Sequence, residues 1–424
     1  MKHQKDVEWS KLDNASKIFP ATWNPKDPKV FRFSCELYAV IVPDILQKAL
    51  EITVSNFPLY KSVLKRGIFW YYLESSDIRP EVQIESTPVC APIYVGLKSN
   101  LLFRVSYFKR RINLEVFHVL SDGAGAIRFM RSLVYYYLTL LHPEEFSGKI
   151  LENDASSISE QMDDSYKKHY VRGKTYRRMV KEEKIQTKVN AYKIRGIRTA
   201  ENRMTLIEGS MSVQSVLNEA HKYNTTLTVF ISSLFIYSIY KAMPSRGSDK
   251  PVVLTVPVNL RQFFKSVTSR NFFSTVNVGY KFEQDDDLQL VIQSVGESFK
   301  KYLTVEQLNY QLCKFISFER NPFARVVPLP VKDFILRLAA KSYARYATSN
   351  ISNVGKIVMP SEFSCHIREF SVCTSVRKPQ ITLCSFNDKM VISITSPFKE
   401  MEIQRTFFQM LAAMDIQIEI SSNL

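Results

Sequence analysis

Glycine is scarce, 12 among 424 residues, and thinly scattered, which excludes collagen-like, fibrous or low-complexity architecture. Cysteine is scarcer: Cys35, Cys90, Cys313, Cys365, Cys373 and Cys384 form no CxxC pair and lie away from any histidine cluster. Reduced thiols in a cytosolic protein fit this usage, and no zinc site is expected. Long apolar runs are missing too. The longest uncharged stretch, Asn224 to Tyr240, is interrupted by Thr225, Thr226, Thr228, Ser232, Ser233 and Ser238, and it falls short of the ~20 apolar residues a membrane helix needs. It reads as a buried core helix. Met1-Lys2-His3-Gln4-Lys5-Asp6 leads into polar sequence rather than an apolar signal segment, so a cytoplasmic protein is the expectation. No GxSxG elbow and no phosphate-binding loop is present. Gly123-Ala124-Gly125 invites a dinucleotide-binding reading, but Arg128 stands where the third glycine would let a helix pack on a pyrophosphate.

Acids are outnumbered, 41 Asp+Glu against 57 Lys+Arg, for a net charge of +16. Much of the excess lies between Lys167 and Arg203, where only Glu182, Glu183 and Glu201 oppose a run of lysines and arginines. Just upstream, Glu152, Asp154, Glu160, Asp163 and Asp164 make an acid-rich stretch. This composition shift marks a crossover between two lobes, which 424 residues call for in any case. The expected division is 1–165, a basic crossover at 166–206, and 207–424. Such a segment is either a solvated surface or an electrostatic collar for an anionic partner: coenzyme A phosphates, an acidic carrier protein, or a membrane surface touched without an integral span. Nucleic acid is not expected, because no recognised binding motif accompanies the charge.

Periodicity supplies the elements. Ile45, Leu46, Ala49, Leu50 and Thr53 recur at helical spacing between Pro43 and Asn56. Phe69 to Leu73 reads as a strand, and Leu101 to Phe108 with Ile112 to His118 as a hairpin about Lys109-Arg110-Arg111. On its second arm Ile112, Leu114, Val116 and His118 share a face. Ile127, Met130, Leu133, Val134, Tyr137 and Leu141 then form the stripe of a helix closed by His142-Pro143. Helices are expected at Val213–Tyr223, Thr226–Met243, Asp286–Leu303, Val331–Tyr346 (basic and amphipathic) and Met401–Met414. Strands are expected at Val252–Pro257, Phe273–Tyr280 and Ile416–Ile420, with a hairpin about Asn387-Asp388. The pattern is mixed α/β (α+β) with antiparallel hairpins, not regular βαβ alternation.

His118-Val-Leu-Ser-Asp122-Gly123 is the sharpest constellation, with His118 at a strand end and Asp122-Gly123 opening a helix. Each residue has an ordinary structural role open to it: a satisfied core histidine, an N-cap aspartate, a permissive turn. The chemistry suits acyl transfer equally well. Attack of a hydroxyl or amine on a thioester needs a base neutral near pH 7, which a partly buried imidazole provides. Two candidate ligands with no companion cluster do not make a metal site.

His118-x-x-x-Asp122-Gly123 resembles the HxxxDG motif of chloramphenicol acetyltransferase-like enzymes, alcohol acetyltransferases, plant acyltransferases and condensation domains. Trp9-Ser-Lys-Leu-Asp13-Asn14-Ala15, Asn56-Phe-Pro58-Leu-Tyr60, Val256-Pro257-Val-Asn259-Leu-Arg261 and Ser352-Asn353-Val-Gly355 look like segments of the bacterial alcohol acetyltransferase-like branch, in the same order. The DFGWG motif of plant members is absent. The resemblance implies a two-lobed fold, each lobe a mixed sheet flanked by helices, with a tunnel between. It implies His118 as general base and Asp122 as a chiefly structural carboxylate bonded to an arginine, with Arg261 the candidate. Ser352 and Asn353 become candidates for the oxyanion or the tunnel wall. The implied activity is transfer of an acyl group from acyl-CoA to an alcohol, without a permanently bound cofactor. Alternatives are a stand-alone condensation-type enzyme drawing on an acyl carrier protein to form amides or esters, and a non-catalytic binding relative.

Overall fold

The computed structural model describes residues 9–96, 98–146, 162–170, 189–244, 249–283, 286–321 and 325–424. Most of the basic crossover, including Arg172, Lys174, Arg177, Arg178, Lys181, Lys184 and Lys188, lies outside the described residues.

Two sheets organise the chain. One has five strands in the order Ile367–Thr374, Val30–Leu37, Arg111–Phe117, Phe103–Phe108 and Val82–Ile84, all antiparallel except the last pair. The other has seven: Phe273–Tyr280, Val252–Asn259, Ser349–Ile357, Gln380–Phe386, Lys389–Ser396, Thr205–Ser212 and Glu419–Ser422. Ser349–Ile357 runs parallel to both neighbours, so this sheet is mixed. A small three-stranded sheet joins Trp9–Lys11, Tyr71–Ser75 and Ser62–Arg66.

Each large sheet carries its own core. Leu46 and Leu50 of the helix Pro43–Asn56, and Phe129, Leu133 and Val134 of the helix Gly123–Leu141, pack on Phe33, Leu114 and Val116. In the second core Phe230, Leu234 and Phe235 meet Leu254, Ile392 and Phe407. These first three belong to the helix Leu227–Lys241, capped by Thr226 and buried along most of its length, as the uncharged run suggests. Ser349–Ile357 spans the seam, with Ile351 in the second core and Ile357 in the first. Ile367–Thr374 returns from the late sequence to edge the first sheet, burying Phe370 there. The architecture is the expected mixed α/β, two sheets flanked by helices.

Several boundaries shift. The strand expected at 69–73 begins at Tyr71, because Gly67–Trp70 closes a turn through Gly67 N and Trp70 O at 2.9 Å. The hairpin arms are Phe103–Phe108 and Arg111–Phe117, with Lys109 taking φ 51° in the turn. The last strand is Glu419–Ser422 rather than 416–420. The helix expected at Val331–Tyr346 spans Leu329–Tyr343, started by Pro328 and Pro330. Among the described residues, no helix is long and apolar enough to cross a membrane.

Candidate active site

His118 follows the strand Arg111–Phe117, and its amide still donates to Lys29 O at 2.8 Å. Its partly buried ring lies among three aromatics. Phe19 stacks on it at 4.3 Å, Phe31 meets it edge-on at 5.0 Å, and Phe273 of the second sheet is tilted against it at 5.7 Å. Burial pushes the imidazole pKa below its ordinary value, an effect opposed by the nearby Asp122 charge. The ring is therefore neutral near pH 7.

Its tautomer follows from Asn271. The Asn271 amide nitrogen lies 3.0 Å from His118 O, an atom that only accepts, and 2.9 Å from Ser16 Oγ. That fixes Asn271 Oδ1 as the acceptor 3.0 Å from His118 Nδ1, so Nδ1 carries the proton and Nε2 keeps a lone pair. Ser16 Oγ in turn donates to Asp13 Oδ2 at 2.5 Å, while Asp13 Oδ1 accepts from Ser16 N at 2.8 Å. Asp13, Ser16, Asn271 and His118 thus form one hydrogen-bonded line. Burial raises the Asp13 carboxyl pKa, opposed by Arg270.

Asp122 caps the helix Gly123–Leu141, its Oδ1 accepting from Gly125 N at 2.9 Å. Its Oδ2 accepts from Arg261 Nη1 and from Phe272 N, both at 2.8 Å. Arg261 also donates to Thr268 O at 2.9 Å and Arg270 O at 2.5 Å, so one guanidinium ties the loop 266–272 to the motif. Ser121 Oγ adds a bond to Ser269 O at 2.6 Å. Tyr166 pins the same region, donating to Phe273 O at 2.6 Å. Helix opening and second-lobe loop form a single polar joint beside the imidazole.

The two glycines here differ. A Cβ at Gly125 would collide with Ser269 O and Ser121 Oγ, so close approach of the loop requires glycine. At Gly123 a Cβ would come no nearer than 4.0 Å, to Phe33, and its φ is not left-handed. Neither turn nor packing calls for glycine at 123.

Ser352 and Asn353 lie on the seam strand rather than in this joint. Asn353 Nδ2 donates to Thr228 Oγ1 at 3.0 Å and its Oδ1 accepts from Gly355 N at 2.8 Å, at an irregularity in the strand pairing. Asn271, Ser16 and Asp13 are site residues that sequence reasoning missed. Asp13 stands in the Trp9–Ala15 segment, but only the fold brings it to a histidine over one hundred residues away. The absence of a cysteine near a histidine cluster also fails in three dimensions. His142 stacks on His366 at 4.4 Å, and Glu145, Cys365 and His366 hold ligand atoms within 4.8 Å of one another on an exposed surface. These three could hold a metal ion; none of them touches His118.

No family model and no curated protein matches the sequence. Solved structures do match over nearly the whole chain. The first condensation domain of the calcium-dependent antibiotic synthetase, in complex with a substrate analogue, is 13% identical with a TM-score of 0.66, covering 96% of each chain. TRI3 trichothecene 15-O-acetyltransferase from Fusarium sporotrichioides is 10% identical with a TM-score of 0.64, covering 96% of this chain and 94% of that one. Polyketide synthase associated protein 5 from Mycobacterium tuberculosis is 12% identical with a TM-score of 0.62, covering 95% of this chain and 97% of that one. The chain has the fold shared by condensation domains and chloramphenicol acetyltransferase-like proteins.

Proposed function

We propose that this protein is an acyltransferase of the alcohol acetyltransferase-like kind, moving an acyl group from acyl-CoA to an alcohol with His118 as general base. The observation that carries this reading is the tautomer: a neutral imidazole whose Nδ1–H is engaged by Asn271, leaving Nε2 to accept a proton. In the proposed step Nε2 takes the hydroxyl proton as the oxygen attacks the thioester carbonyl. The tetrahedral oxyanion collapses, the C–S bond breaks, and the imidazolium returns the proton to the departing thiolate. Asp122 and Arg261 act as positioning residues. Gly123 leaves room for the reacting carbonyl, which accounts for a glycine that the fold itself does not require. Ser352 and Asn353 are the candidate donors to the oxyanion: Asn353 spends one Nδ2–H on Thr228 Oγ1 and keeps the other. Acyl-CoA enters as substrate, and the reading calls for no permanently bound cofactor.

The test is thiol release from a panel of acyl-CoA esters, with and without alcohols. His118→Ala should lower turnover by roughly 10²–10⁴-fold with an unchanged melting transition. Equal turnover in that variant removes the base from the mechanism. Turnover with carrier-linked donors but not with CoA esters would transfer the same chemistry to a condensation-type enzyme.

A further inference from the structure

The helix Leu329–Tyr343 turns its apolar stripe outward. Val331, Phe334, Ile335 and Leu338 recur at i, i+3, i+4 and i+7, a single helical face, yet they are 48%, 59%, 53% and 50% exposed. The opposite side seats Leu329 and Asp333, the latter bonded to Tyr71 Oη at 2.9 Å. Exposed Ile68 and Phe69 extend the apolar surface at the start of the helix, where Leu329 N donates to Ile68 O at 2.9 Å and Lys332 Nζ to Phe69 O at 2.9 Å. Single exposed apolar residues are ordinary; a continuous stripe of this size marks a contact surface.

Charge identifies the partner. Arg337, Lys341 and Arg345 are exposed along the helix and its end, and Lys332 sits 3.5 Å over the Trp70 ring. The only acid on this helix, Asp333, is buried on the inner side. A second copy would set these cations against themselves. An apolar face bordered by lysine and arginine, with aromatic residues at its edge, matches the boundary of an anionic lipid bilayer, where the stripe enters the acyl region and the cations meet phosphates.

The surface adjoins the site. Arg337 Nε donates to Ala21 O at 2.7 Å, and the short helix Ile18–Thr22 that holds Ala21 also holds Phe19, stacked on His118. We infer that the helix Leu329–Tyr343 docks the protein peripherally on an anionic membrane. Resting on the acyl-transfer reading, a second step follows: a reactant with a lipid tail reaches His118 from the bilayer.

Flotation with phosphatidylcholine vesicles, with and without phosphatidylglycerol, tests docking on the full chain. The wild type and His118→Ala should both float with anionic vesicles, so that binding is read apart from chemistry. Phe334→Ser combined with Ile335→Ser should lower partitioning by about tenfold or more, and so should Lys341→Glu combined with Arg345→Glu. Both pairs should keep the wild-type melting transition and its thiol release from short-chain acyl-CoA. Absence of flotation overturns the inference, as does flotation indifferent to both pairs. A dimer in light scattering that the serine pair dissolves assigns the face to a second copy, and capture of an acidic carrier protein lost in the serine pair assigns it to that partner; either result also overturns it.

Discussion

A histidine held neutral by burial has a pH signature. Because desolvation lowers the His118 pKa below its ordinary 6.5, the base form persists into mildly acidic solution. The acid limb of kcat/KM should therefore fall below pH 6.5; a limb at or above that value would contradict the assignment. The carbonyl of Asn271 favours the charged ring, so Asn271→Ala should move the limb to still lower pH while kcat drops by about tenfold. Loss of packing alone would lower kcat and the melting temperature without moving the limb. The neighbouring glycines make a second comparison. Gly123→Ala should fold normally and lose turnover, whereas Gly125→Ala should unfold or displace the loop 266–272, since its methyl meets Ser269 O. Differential scanning fluorimetry beside thiol release separates the two. His118, Asp122 and Gly123 were legible because they lie within six consecutive positions. Asn271 was not, being an ordinary amide in a loop with no local pattern to mark it.

Among the elements, those with strong periodicity stood out in the sequence. The helix Pro43–Asn56 and the hairpin about Asn387, at φ 51°, need no distant information. The strands Val30–Leu37 and Ile367–Thr374 gave no such signal. Arg32, Ser34 and Glu36 resemble a solvated face, yet Arg32 and Ser34 are buried and satisfied by partners far along the chain. Ser34 Oγ donates to Asn113 Oδ1 at 2.7 Å, and Arg32 Nε and Nη2 lie 3.0 and 2.8 Å from Glu115 Oε1. Glu115, fully buried, also accepts from Arg104 Nε at 2.9 Å and Cys90 N at 2.7 Å. Glu115→Ala should thus leave Arg32 with only the Glu85 carboxylate at 2.5 Å, take the acceptor from Arg104 Nε and Cys90 N, and cost about 3 kcal/mol, measurable by urea unfolding. A loss under 1 kcal/mol would show that water replaces the carboxylate. Apolar spacing identified the helix Leu329–Tyr343 but could not tell which side faces the protein.

At the level of the whole molecule, composition pointed to two lobes, and of the groups uniting them Asp122 lay in the motif while the loop that meets it had no local pattern. Arg261 was suggested by resemblance alone; its place 2.8 Å from Asp122 depends on a loop packing against a helix start 139 positions earlier. Arg261→Ala would leave Asp122 buried without its cation and remove the Arg261 donors from the carbonyls of Thr268 and Arg270. A loss of about 3–5 kcal/mol is expected in the same unfolding measurement. Arg261→Lys should recover only part of it, because an ammonium cannot span these acceptors as a planar fork does.

The edge strand Ile367–Thr374 has a consequence for biosynthesis. Until those residues leave the ribosome, Val30–Leu37 has an unpaired backbone row on that side, a template for wrong pairing. The nascent first sheet thus waits for a strand made about three hundred residues later, so translation stalled before position 367 should yield chains that bind holdase chaperones, and release should coincide with emergence of Phe370.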